Sequence, residues 1–279
     1  MQAEQVTGPV AFHGEGPVWS SRWGGLRWVD MLRGDVLQLA DDGSVLRTHV
    51  DDVAAALRPR RGGGAVIGVR RGFALEDPDG SVTHLPELWS GDEIRMNDGG
   101  CDPDGRFLCG TMAYDLRPGA GSLYRLDPDR SVTLVLEGVT ISNGLEWSPD
   151  GTLAYYVDTP TREISVFDYD SAGGLQDRRP FASVEAMPDG LTVDADGGVW
   201  VALYDGRAVQ GFGADGTPGA RVRVPEGRVT ACTFGGEDLD RLFITTSREG
   251  LSAEEEPSAG SLLVADVGVR GLPVREYAG

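Results

Sequence analysis

Apolar residues in this chain come in short runs of about five to seven positions, most of them alternating or continuous rather than spaced at three and four. Such runs occupy Leu26–Met31, Val66–Arg70, Arg106–Met112, Ser122–Leu126, Val132–Leu136, Leu153–Asp158, Glu163–Phe167, Gly198–Leu203, Arg241–Thr245 and Ser261–Ala265. Asp-Gly pairs punctuate them, at Asp42-Gly43, Asp79-Gly80, Asp104-Gly105, Asp150-Gly151, Asp196-Gly197 and Asp215-Gly216. A period of two between tight-turn dipeptides predicts many short antiparallel strands, as in a sandwich, barrel or propeller.

A repeat chooses among these. The phrases Asn97-Asp-Gly-Gly-Cys-Asp-Pro-Asp-Gly105, Asn143-Gly-Leu-Glu-Trp-Ser-Pro-Asp-Gly151 and Asp189-Gly-Leu-Thr-Val-Asp-Ala-Asp-Gly197 begin 46 residues apart. A looser relative, Glu15-Gly-Pro-Val-Trp19, opens the chain. Each leader precedes a strand by ten or eleven positions, and working back from the strands at Ala65 and Arg241 places unliganded equivalents near Ala55 and Ala231. Six phrases at the spacing of one four-stranded blade predict an all-β, six-bladed β-propeller spanning residues 1–279 as one domain, with no linker. The segment near Val274–Tyr277 is expected to join the N-terminal segment in one blade and so close the ring. Glu249–Ser258, with three consecutive glutamates, reads as an exposed loop.

Equivalent positions on different blades converge at the axis. Glu15, Asn97, Asn143 and Asp189 would then form a ring of oxygen donors, two anionic and two neutral. That set suits one divalent cation, Ca²⁺ or Mg²⁺ first, with Mn²⁺ or Zn²⁺ also accommodated. Asn97 is either a direct ligand or a contact to substrate or water. Arg95, two residues before Asn97, falls on the same side of an extended segment; it either holds a carboxylate, hydroxyl or phosphoryl oxygen or forms a rim salt bridge. Asp115 is either an acceptor for sugar hydroxyls or a plain loop carboxylate. Trp19 and Trp147 are expected to pack between blades, and His13 stands either behind Glu15 or in a polar loop.

Charge and composition narrow the partners. The chain carries 44 acidic against 25 basic residues, a formal net charge of −19, which excludes nucleic acid and anionic membranes as expected partners and favours a cation. No run reaches the ~18 apolar residues of a membrane span, and Met-Gln-Ala-Glu-Gln lacks the features of a secretion signal. Cys101, Cys109 and Cys232 show no zinc spacing and read as reduced, mostly buried thiols of a cytoplasmic protein; a monomer or small homo-oligomer is expected. Asp194-Ala-Asp-Gly-Gly lacks the later ligands of an EF-hand loop. His13, His49 and His84 flank no nucleophile elbow, and Gly62-Gly-Gly64 lacks the Lys-Ser/Thr of a phosphate loop.

Taken together, Gly14-Glu-Gly-Pro-Val-Trp19, Arg95-Met-Asn-Asp-Gly99, Asp102-Pro-Asp-Gly-Arg106, Gly110-Thr-Met112, Ile141-Ser-Asn-Gly-Leu145, Phe167-Asp-Tyr-Asp170, Pro188-Asp-Gly-Leu191, Val199-Trp-Val-Ala202, Phe234-Gly-Gly236 and the terminal Tyr-Ala-Gly resemble the gluconolactonase / senescence marker protein (regucalcin-like) family over nearly the full length. The resemblance implies a propeller with one divalent metal held by Glu15, Asn143 and Asp189, with Arg95 and Asn97 contacting substrate and Asp189 doubling as general base. Family members often carry Glu where this chain has Asp115, and the loop from Asp115 to Gly121 is short beside vertebrate relatives; both differences bear on the choice of sugar. The expected activity is hydrolysis of a small lactone, such as an aldonolactone, to the hydroxy acid. Rival readings are a phosphotriester or fluorophosphate hydrolase, a metal-dependent isomerisation or dehydration of a specialised metabolite, and a non-catalytic calcium-binding propeller.

Overall fold

Alternating runs joined by tight turns pair with their sequence neighbours, and a right-handed twist stops each sheet from growing wide. In the computed structural model, which describes residues 1–225 and 227–279, this gives six four-stranded antiparallel sheets among the described residues. Blade 1, for example, is Gly14–Ser20, Gly25–Asp30, Asp35–Leu39 and Val45–His49, from the axis outward. The inner strands of blades 2 to 6 are Ala54–Pro59, Ile94–Cys101, Ser142–Trp147, Pro188–Val193 and Arg228–Gly235. Each inner strand packs on the next and the sixth on the first. The fold is a six-bladed β-propeller. No helix among the described residues is long and apolar enough to cross a membrane.

The recurring phrase is the signature of a bulge. Every inner strand slips register with its neighbour at the phrase: between Glu15 and Val18, Ala54 and Ala56, Met96 and Gly99, Asn143 and Leu145, Pro188 and Leu191, and Val229 and Ala231. A bulge re-aims side chains and bends the strand, and here it does so at the axis. The glycine after the leader lets adjacent blades close up. A Cβ on Gly144 would lie 2.7 Å from the carbonyl oxygen of Asp189, and one on Gly190 would lie 2.5 Å from the Cβ and 2.9 Å from the Cα of Ala231. Gly190→Ala is therefore expected to destabilise the fold by about 1–3 kcal/mol through overpacking against backbone, read as a lower denaturant midpoint at unchanged slope; an unchanged midpoint would show that the axis has slack.

The blades are glued by aromatic side chains at the ends of their inner strands. Trp147 is fully buried among Leu108 and Leu123 of blade 3 and Tyr169 of its own blade, edge-on to that ring at 5.8 Å, and Trp19 stacks on Phe243 of blade 6. Burying a side chain of this size contributes about 2–3 kcal/mol. The three cysteines are free and buried, and burial pushes each thiol up, away from the thiolate.

Ring closure differs from the expectation. Glu4–Gln5 pairs with Leu262–Asp266 as the outer strand of blade 6, so the N-terminus does join C-terminal strands, but Val274–Tyr277 is not among them. That segment runs across the end of the channel remote from the leaders. Pro273 has no N–H for a ladder, whereas Tyr277 gains burial there: its ring is enclosed, its N–H donates to Pro59 O at 2.8 Å, and its hydroxyl donates to Asp127 O at 2.7 Å. The loop from Glu249 is largely exposed, as its charge predicts.

Candidate metal centre

The leaders of four phrases meet at one end of the axial channel, and all four are buried. The bulges supply the positions and hydrogen bonds fix the orientations. Asn143 donates through Nδ2 to Thr159 Oγ1 at 2.8 Å, and Thr159 in turn donates to Pro188 O at 2.8 Å. That chain leaves Asn143 Oδ1 turned inward, where it accepts from Asn97 Nδ2 at 3.0 Å. Asn97 also donates to Ser142 O at 2.8 Å, and its Oδ1 accepts from Arg95 Nη1 at 2.6 Å. Arg95 is buried, donates to Met96 O at 3.0 Å and lies with its guanidinium carbon 5.7 Å from the centre of the Tyr114 ring. Arg95 and Asn97 thus do share one side of the strand.

The carboxylates are held differently. Glu15 Oε2 accepts from the N–H of Gly16 at 3.0 Å, and Oε1 lies 4.0 Å from His13 Nε2. Asp189 Oδ1 is buried and has no hydrogen-bond partner at all. An orphaned carboxylate oxygen in a water-poor site is costly unless a cation or proton answers it. The electrostatics of the site point the same way. Burial, then the charge of Asp98, pushes Glu15 up to about 8; burial, then Glu15 and Asp98, pushes Asp189 well above the usual carboxylate range. Arg95 pulls both back only in part. These carboxyls crowd one another without enough positive charge, and a divalent cation supplies what is missing. Among the described residues no three His, Cys, Asp or Glu side chains are placed to hold a metal ion together, so a cation here would depend on the Asn143 carboxamide as well as on Glu15 and Asp189.

Asp98 is the residue that sequence reasoning missed. In the other three phrases the leader is followed directly by Gly; in Asn97-Asp98-Gly99 an aspartate intervenes. That extra residue falls in the bulge, is buried, accepts from Gly99 N–H at 2.7 Å and acts on both Glu15 and Asp189. His13 belongs to the same neighbourhood. It is buried, its Nδ1 lies 2.8 Å from Ser247 Oγ and 3.4 Å from Glu249 Oε2, and burial lowers its pKa. Asp115 is not gathered with the others. It is an exposed turn residue that accepts from Arg117 N–H at 3.2 Å and pairs with Arg117 Nη1 at 2.9 Å. Ala55 and Ala231 fill the two remaining ring positions, as the repeat predicts, and both are buried.

The profile of the SMP-30/Gluconolactonase/LRE-like region matches residues 13–248. The chain belongs to this family. Regucalcin from Danio rerio is similar to it, with 36% identity over 281 residues and 95% of each chain covered. Among solved structures, a calcium-binding protein, regucalcin, from Agrobacterium tumefaciens superposes with a TM-score of 0.93 at 28% identity, covering 100% of this chain and 98% of its own. A gluconolactonase from Xanthomonas campestris superposes with a TM-score of 0.78 at 28% identity, covering 94% of this family member and 88% of its own chain.

Proposed function

We propose that the protein is a divalent-metal-dependent lactonase that opens a sugar lactone or similar small lactone to the hydroxy acid. The observation that carries this reading is the unpartnered, buried Asp189 Oδ1 beside Asn143 and Glu15, with a guanidinium at the same channel end. Relatives named gluconolactonase and regucalcin support it. Glu15, Asn143 and Asp189 would hold the cation, whose identity among Ca²⁺, Zn²⁺, Mn²⁺ and Mg²⁺ the oxygen donor set leaves open. Once bound, it would supply Lewis acidity toward a carbonyl oxygen.

The chain's own groups do the rest. Asp189, flanked by carboxyls that raise its proton affinity, accepts a proton from the attacking water. Arg95 directs its guanidinium toward ring hydroxyls and keeps Asn97 oriented through the 2.6 Å bond, which positions the lactone rather than reacting with it. Asp115, tied to Arg117 on the rim, is left for the part of a substrate that projects from the channel. Arg95→Lys is expected to raise KM and lower kcat/KM about 10–100-fold, because an ammonium cannot replace the planar fork; hydrolysis kinetics on one aldonolactone check it.

The test is a panel of aldonolactones offered to the full chain with each of the four cations. Turnover should stop on chelation and return on readdition. A chain that hydrolyses none of the lactones with any cation removes the proposal. An aryl phosphotriester belongs in the same panel, since the buried imidazole of His13 beside Glu15 is the one observation favouring phosphotriester hydrolysis.

A further inference from the structure

The axial channel has a second end. Residues that follow the ring along each inner strand lie toward the opposite face, and there a cavity of about 310 Å3 opens between the strand ends and the C-terminal segment. Arg58, Glu146, Thr192 and Thr233 line it from four inner strands, and Arg275 lines it from the segment that crosses below. In a chain where acidic residues outnumber basic ones 44 to 25, two guanidiniums against one carboxyl is a local reversal of sign.

Neither guanidinium is used up. Arg58 donates through Nη1 to Leu57 O at 2.8 Å and Arg275 through Nη2 to Ser148 O at 3.0 Å; among the described residues neither forms an ion pair. Each fork has five N–H donors, and these bonds engage one nitrogen of each. Glu146 accepts from Trp147 N–H at 3.0 Å. Burial pushes its carboxyl up, against the pull of Arg58. The walls are fixed. The crossing segment is pinned by Gly271 N–H to Leu239 O, Tyr277 N–H to Pro59 O and Ala278 N–H to Gly105 O, each at 2.8 Å. A ligand would therefore spend little free energy on ordering its site.

We propose that this cavity binds a small oxyanion of the carboxylate or phosphate class between the Arg58 and Arg275 forks. Guanidiniums match such anions two N–H groups to two oxygens. The volume is near the lower end of small-molecule sites, about 300–1,000 Å3, which suits an anion of a few heavy atoms and not a nucleotide. The site is independent of the lactonase reading, being at the other end of the axis.

Calorimetric titration of the full chain with malonate and with inorganic phosphate, at ionic strength held constant with chloride, tests it. Saturable binding of at least one probe is expected. Arg58→Gln and Arg275→Gln should each weaken it at least ~10-fold by removing one charged fork, while Arg95→Gln at the far end leaves it unchanged. Arg275 sits half-buried on the crossing segment, so its variant keeps the test open even where Arg58→Gln fails to fold. Absence of saturable binding by either probe overturns the proposal. So does binding that survives Arg275→Gln and disappears in Arg95→Gln, since the anion would then sit at the metal end.

Discussion

Asp189→Asn is expected to abolish tight divalent-cation binding and to lower kcat/KM for lactone hydrolysis by about a thousandfold or more, the loss of one anionic ligand and one proton acceptor together. The same substitution should leave the metal-free protein at least as stable as the parent. In the metal-free protein Asp189 is a buried carboxyl raised by its own burial and by Glu15 and Asp98, with Oδ1 unpartnered. An isosteric carboxamide removes the repulsion and can donate as well as accept. Function and stability therefore move in opposite directions, which misfolding cannot imitate. Cation titration by calorimetry, lactone kinetics and a thermal melt of the chelated protein check the three parts. Parent-like turnover in the variant would remove Asp189 from the reaction and with it the proposed mechanism.

Much of the fold was legible because two signals agreed. The alternating runs lie within three residues of observed strands at either end, Leu153–Asp158 coinciding with one, and the 46-residue spacing set their number. The inner strands were harder. Ile94–Cys101 contains Asn-Asp-Gly-Gly, which by propensity is turn and not strand. It is held extended by pairing with Phe107–Ala113 on one side of the bulge and the other, a tertiary effect that no local window contains. Outer strands such as Pro218–Arg223 carry little hydrophobic alternation because, apart from Val222, neither face of them is covered.

The site was legible in its ring and not in its surroundings. Glu15, Asn97, Asn143 and Asp189 share a position in the repeat, so symmetry alone predicts that they meet. Asp98 breaks the repeat, and Thr159, which orients Asn143, lies in a short turn after the next strand. His13 is two residues from Glu15, yet its contacts with Ser247 and Glu249 are more than 230 residues away in sequence and become neighbours only when the ring closes. Asp115 is a different case: the sequence left it either an acceptor for sugar hydroxyls or a loop carboxylate, and it lies exposed with Arg117 as its local partner.

The crowding of Glu15, Asp98 and Asp189 also fixes how metal and pH should act on stability. For Glu15, which stands at about 8 in the fold against roughly 4.3 in an unfolded chain, the folded state binds its proton more tightly. Stability of the chelated protein from this group is therefore fully present below the unfolded value and is lost as pH rises toward 8; Asp189 is shifted in the same direction. Between about pH 5 and about pH 8 the metal-free protein should lose a few kcal/mol, which for a chain of this size is a fall in Tm on the order of 5–10 °C. A divalent cation reverses the dependence. It holds Glu15 and Asp189 as carboxylates, displaces their protons, and gains affinity as pH rises. At about a hundred times Kd it adds ~2.7 kcal/mol, so the metal-dependent rise in Tm should be larger near pH 8 than near pH 5, with proton release on binding visible as a buffer-dependent heat. Glu15→Gln should make the metal-free slope shallower, since one titrating group is gone and its charge no longer raises Asp189. A chelated protein whose Tm climbs steadily from pH 5 to pH 8, in parent and variant alike, would show that these carboxyls are not crowded, and the reason for placing a cation among them would go with it.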